Sequence, residues 1–174
     1  MEPVTRPPAD SATDQRVHDT LQLHADLTEL EFLLGAWLGE GEGEWPGIDA
    51  FAYGEEMRFE HVGDAFLTYA QRSWSLDDGS AIHLERGFLR PSGAGRVELV
   101  LSHPIGITEV AEGTVADGVL DVASTHVGLT SSAKPVTDLR RRLEVRDDVL
   151  TYDLWMAMRD VALTPHVRGH LSRA

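Results

Sequence analysis

The fold turns on GAWLGEGEGEWP, residues Gly35 to Pro46, because the apolar period changes there. Upstream, in HDTLQLHADLTELEFLLGAW, Leu23, Leu27, Leu30 and Leu34 recur at helical spacing with Asp26, Glu29 and Glu31 between them. This predicts a short amphipathic helix over about residues 19 to 33, ended by Gly35. Downstream the period is two. In FAYGEEMRF, Phe51, Tyr53, Glu55, Met57 and Phe59 share one face. AFLTYAQRSW, IHLERGFLR, RVELVLS, GITEVAEGTV, VLDVASTHV, VTDLRRRLEV and VLTYDLWMAM follow as strand-length segments. They are separated by hairpin chemistry: Asp77-Asp78-Gly79, Ser92-Gly93-Ala94-Gly95, Ala116-Asp117-Gly118 and Arg146-Asp147-Asp148. About nine or ten strands without intervening helices make an antiparallel meander, which must close or stack at that length. An up-and-down barrel removes the edges altogether, and a two-sheet sandwich satisfies the same periodicity. Barrels of this size enclose a cavity for a small ligand. The glycines at 39, 41 and 43 then mark positions where something comes close to bare backbone.

Composition bounds the function. The 174 residues suit one domain, with residues 1–17 polar and proline-bearing, read as a disordered arm, and residues 18–174 as the barrel. A net charge of -14 repels phosphate backbones and anionic lipid, which argues against nucleic-acid or membrane partners. No apolar run is long enough for a spanning helix, and MEPVTRPPADSATDQ lacks the apolar core of a signal peptide, so a cytoplasmic location is expected. The absence of cysteine excludes disulfides and thiolate chemistry.

Of the eight histidines, His18 and His24 lie by the helix, His61 in a turn, and His83, His103 and His126 in or beside strands, where they can face the cavity although a hydrogen-bonded structural role is the plainer reading. His166 and His170 are spaced as metal-binding pairs are on helices, but Pro165 and Gly169 work against a helix there. A haem iron needs only one neutral imidazole in an apolar setting, which Met156, Met158, Val161, Leu163, Val167 and Leu171 provide around His166. The serines lack a nucleophile-elbow context, and the glutamates at 40, 42, 44, 55 and 56 read as a solvated face. GEGEG is followed by no βαβ unit and so is not a dinucleotide fingerprint.

GAWLGEGEGEWP resembles the G-x-W-x-G-x-G-x-G-x-Y-P signature of the nitrobindin family, with Trp45 in the tyrosine position. The likeness continues through FAYGEEMRFEHVGDAFLTYAQRSW, HLERGFLR, VELVLSHPIGITEVAEG and SSAKPVTDLRRRLEV to LWMAMRDVALTPHVRGHL. It implies an all-β fold, a ten-stranded antiparallel up-and-down β-barrel with a short N-terminal helical segment. It also implies one haem b per chain near one end, held by a C-terminal histidine, with nitric oxide binding and isomerisation of peroxynitrite to nitrate. By the family's C-terminal pattern His166 is the axial ligand to iron, and His170 falls one turn later. Lys134 matches the lysine of the family's A-K-x-V-T pattern, where a cation can meet a haem propionate through a charge-assisted hydrogen bond, with a plain surface lysine as the equal alternative. Ala162, Val167 and Gly47 depart from the family pattern and bear on how tightly haem is held. A homodimer is left open. Two other functions use much the same residues: a nitric oxide sensor without turnover, and a haem-free carrier of a fatty acid or other apolar ligand that engages Arg141.

Overall fold

The computed structural model describes residues 21–174. The expected arm at residues 1–17, His18 and the first residues assigned to the barrel domain and its helix lie outside that range. Among the described residues a 3₁₀ helix, Ala25–Leu33, is followed by ten strands. These are β1 (Gly35–Trp45), β2 (Ile48–His61), β3 (Leu67–Ser75), β4 (Ala81–Gly93), β5 (Arg96–His103), β6 (Ile107–Ala116), β7 (Val119–Leu129), β8 (Val136–Arg146), β9 (Val149–Met158) and β10 (Val161–Arg173). Each strand pairs antiparallel with its neighbours in sequence, and β1 pairs with β10 to close the barrel. The up-and-down architecture is therefore the observed one, and the sandwich is not.

The helix differs in type from the expected one, and spacing is the reason. Leu27, Leu30 and Leu33 are fully buried. Their separation of three residues matches a 3₁₀ helix, where positions i and i+3 eclipse. Leu23 and Leu34, the outer members of the expected α-helical stripe, are only partly buried. The helix caps one end of the barrel. His24 Nδ1 accepts from the Asp26 amide at its start, and Trp37 Nε1 donates to Leu33 O at 2.8 Å at its end. Glu29 accepts from the Gly95 amide in the β4–β5 turn.

The glycines of GEGEG face the interior. A Cβ at Gly39 would collide with the backbone of His170 across the β1–β10 closure. At Gly41 and Gly43 it would overlap the rings of Tyr53 and Phe51, which lie directly opposite on β2. Gly169 stands in the same relation to Tyr152. Close approach is thus the reason for these glycines, and what approaches is the barrel's own backbone and aromatic side chains.

The interior has two levels. Toward the helix it is apolar, built around Trp37, Phe59, Leu67, Leu89, Leu150 and Leu171. Toward the opposite end, where the β1–β2, β3–β4, β5–β6, β7–β8 and β9–β10 hairpins gather, it opens into a cavity. The ladder between β7 and β8 runs only from Val119↔Glu144 to Ala123↔Arg140. Just beyond it the Ser124 hydroxyl donates to Asp138 Oδ1 at 2.6 Å and accepts from the Leu139 amide at 2.9 Å. From there to the mouth, β7 pairs only with β6, and β8 only with β9.

Candidate functional site

The cavity has a volume of about 330 Å³, within the range of roughly 300–1,000 Å³ found for small-molecule sites. Its upper walls are apolar, with Phe51, Ile107, Leu139, Leu154, Met156 and Val167. His166 and Lys134 both border it, although they come from different strands and loops. His170 faces away, opposite Glu40 and Thr151 in the β1 and β9 ladders. His126, on β7, does not line the cavity.

A β-bulge separates the two C-terminal histidines. The β9–β10 register shifts between Pro165 and Val167, leaving His166 without a partner on β9. In unbroken alternation from Leu171, the inward residues would be 169, 167 and 165, and His166 would share the outer face with His170. The bulge adds one residue to the count, and His166 and Val167 both line the cavity. Pro165 sits naturally at such a point, since it has no amide hydrogen for a ladder.

His166 is held by its other side. Its Nδ1 lies 3.0 Å from Glu44 O, and the ring packs edge-on against Trp45 with centroids 5.2 Å apart. A carbonyl can only accept, so Nδ1 carries the proton and Nε2 keeps its lone pair. Among the described residues Nε2 has no hydrogen-bond partner. A backbone carbonyl fixing one ring nitrogen is the usual outer support of a metal-ligating histidine. The apolar walls and this available imidazole nitrogen fit the chemistry of a haem site. The ring stands on the lip between this cavity and a second, more polar groove lined by Glu42, Glu44, Trp155 and Arg168.

Below the mouth lies a buried polar floor that sequence reading missed. Glu55 is fully buried instead of belonging to a solvated face. It accepts from Gln71 Nε2 at 2.7 Å and from the Tyr152 hydroxyl at 2.8 Å. Tyr152 in turn lies 2.6 Å from the Tyr53 hydroxyl, which makes Tyr53 the donor of that bond. Burial, only partly offset by the Gln71 and Tyr152 donors, pushes the Glu55 carboxyl up to about 7. The signal for its position was in the sequence, because Glu55 alternates in phase with Tyr53, Met57 and Phe59.

Beside it, Arg141 is buried and faces inward from β8, paired to Glu109 and, at 3.0 Å, to Glu85. Glu85 also accepts from the Tyr69 hydroxyl at 2.7 Å. Burial is the largest influence and raises both carboxyls, but the Arg141 charge, joined by His83 and His103 at Glu85 and by His103 at Glu109, outweighs it and holds them below their ordinary range. With both carboxylates in place, an incoming fatty-acid headgroup would be a third anion around one guanidinium. The arginine expected to serve an apolar-ligand carrier is already neutralised. His83 and His103 also line the cavity next to Glu85, and they are within hydrogen-bond distance of each other.

Residues 26–173 match the family described as the THAP4-like, heme-binding beta-barrel domain. A protein of Nocardia farcinica named peroxynitrite isomerase is 46% identical over 158 residues, covering 88% of this chain and 94% of its own length. One of Mycobacterium marinum, named peroxynitrite isomerase 2, is 44% identical, with coverages of 87% and 96%. The crystal structure of Rv2717c from M. tuberculosis superposes with a TM-score of 0.82 at 41% identity, covering 88% of this chain and 99% of that one. With the closed ten-stranded barrel and its histidine-bordered cavity, the match over residues 26–173 establishes that the chain belongs to the nitrobindin family of haem-binding β-barrels.

Proposed function

We propose that this protein binds one haem b at the mouth of the barrel through His166, isomerises peroxynitrite to nitrate and binds nitric oxide. The observation that carries the reading is the bulged His166, with Nδ1 committed to Glu44 O and Nε2 left for a metal. The names of the relatives in Nocardia farcinica and Mycobacterium marinum supply the reaction. When bound, ferric haem supplies an iron centre at which peroxynitrite rearranges to nitrate.

The chain's own residues bind, orient and exclude. The Glu44 carbonyl fixes the imidazole tautomer, and Trp45 limits rotation of the ring. Lys134 at the mouth offers a cation to a propionate. Leu139, Leu154, Met156 and Val167 keep water from the apolar walls. Peroxynitrite and nitrate share composition and charge, so the net reaction needs no proton or electron from the protein. The ionisable groups of the floor have no required part in the turnover.

The test is reconstitution with hemin of the wild type, His166→Ala and His170→Ala, read by the Soret band and then by nitrate yield from peroxynitrite. Loss of the band only in His166→Ala supports the assignment. Equal uptake by all three, or by none, overturns it. A Soret band without nitrate formation above the buffer rate would leave nitric oxide binding as the function.

A further inference from the structure

We propose that His83, Glu85 and His103 form a second metal site, for a divalent transition ion such as zinc or iron(II), in the wall of the barrel. His83 and Glu85 project to the same side of β4, and His103 ends the adjacent strand β5. Their donor atoms make a compact triangle. His103 Nδ1 lies 3.3 Å from His83 Nε2 and 3.3 Å from Glu85 Oε2, and His83 Nε2 lies 3.7 Å from Glu85 Oε2. An ion with bonds of about 2.0–2.2 Å to each donor in tetrahedral geometry sets donor separations of about 3.3–3.6 Å. The triangle already has nearly that size. Two imidazoles and one carboxylate suit zinc or iron(II) and not the hard cations magnesium or calcium. All three residues line the cavity, which leaves a further coordination position for water or a small anion.

A second observation comes from the far side of His103. Its side chain is only 6% exposed, and Nε2 lies 3.8 Å from Glu109 Oε2 without a hydrogen bond. His103 Nε2 is buried without a hydrogen-bond partner, whereas Nδ1 is within hydrogen-bond distance of His83 Nε2 at 3.3 Å. With the proton on Nδ1, the Nε2 lone pair faces the Glu109 carboxylate. With the proton on Nε2, the Nδ1 lone pair faces Glu85 and needs a hydrogen from His83 Nε2 or a metal ion to offset that carboxylate. A metal on Nδ1 and a proton on Nε2 resolve both at once, giving the carboxylate–histidine–metal relay common around bound ions. The charge also suits a cation, since Glu85 and Glu109 outnumber Arg141. Glu85 accepts from Tyr69 through Oε1 and from Arg141 through Oε2, and Oε2 retains a lone pair for the ion.

The competing account is a metal-free cluster in which His83 Nε2 donates to His103 Nδ1. Titration of chelator-treated, haem-free, full-length protein with Co²⁺ separates the two. The metal site predicts one equivalent bound with the visible d–d absorption of a four- or five-coordinate ion, displaced by Zn²⁺. His83→Ala and His103→Ala should each weaken Co²⁺ binding at least about 100-fold, and Glu109→Gln about 10–100-fold. His83 is the safer substitution, being 31% exposed. His166→Ala should leave Co²⁺ binding intact, and Zn²⁺ calorimetry on the hemin-loaded protein should still find one site. No stoichiometric binding, binding retained in both His83→Ala and His103→Ala, or binding lost in His166→Ala would each overturn the site. None of those results touches the hemin experiment, which reads a different residue.

Discussion

Replacing Glu55 with glutamine should remove a specific part of the protein's dependence on pH. The carboxyl is fully buried, and its folded-state value of about 7 stands above the ordinary 4.5. A raised value means that the folded state holds the proton more tightly than the unfolded chain. The associated stability is fully present below pH 4.5 and is lost as pH rises through 7. At about 1.4 kcal/mol per unit of difference, the loss amounts to about 3 kcal/mol across that window. Glutamine has nearly the same shape and can still engage Gln71 and Tyr152, but it does not titrate. The assay is urea unfolding of the wild type and Glu55→Gln at pH 5 and pH 8. Other groups titrate in both proteins, so the diagnostic quantity is the difference between the two pH effects. It should be about 2.5 kcal/mol, slightly less than the full effect because pH 5 already lies above the unfolded value, with the wild type losing more on going to pH 8. Equal pH effects in the two proteins would refute the claim that the Glu55 proton is held by the barrel interior.

Three further outcomes follow from the same interior. Arg141→Met leaves Glu85 and Glu109 buried without their cation and should cost about 3–5 kcal/mol at neutral pH. Without the arginine those carboxyls rise above their unfolded values, so the deficit should shrink toward pH 5; a deficit constant with pH, by urea unfolding, would contradict this. Leu30→Ala in the capping helix should cost about 2–5 kcal/mol in the same assay, because its side chain is fully buried. A loss well under 1 kcal/mol would mean that the helix is not part of the core. Gly39→Ala sets a Cβ against the His170 backbone at the barrel closure and should cost about 1–3 kcal/mol, with amide exchange rising along β1 and β10. Unchanged exchange there would show that the closure has room to spare.

Much of the barrel was legible in the chain. Alternation in FAYGEEMRF and VTDLRRRLEV, and turn residues such as Asp117-Gly118 and Asp147-Asp148, specify strands and hairpins locally. The positive φ angles at those four positions are what two-residue hairpins demand. The helix was misjudged in type because Leu23, Leu27, Leu30 and Leu34 suit an α-helical stripe while Leu27, Leu30 and Leu33 suit a 3₁₀ one. Only packing against the barrel end decides between them. Charged residues of the floor were hidden for a related reason: Glu55 belongs to an apolar face, but the partners that make its burial tolerable come from other strands. The meeting of β4, β5, β6 and β8 around Arg141 is likewise a property of closure. His166 is subtler. Its inward place depends on one bulge, and period-two reading assigns it to the wrong face.

The short β7–β8 ladder gives the mouth a property that the rest of the circumference lacks. Elsewhere adjacent strands are bonded along most of their shared length, so the hoop has a fixed girth. Past Ser124 each strand at that seam is fastened on one side only. The seam works as a buckle: Val127 and Val136 can draw apart without breaking a ladder bond between their own strands. Widening of the mouth at this seam would break no bond of the β9–β10 ladder that carries His166.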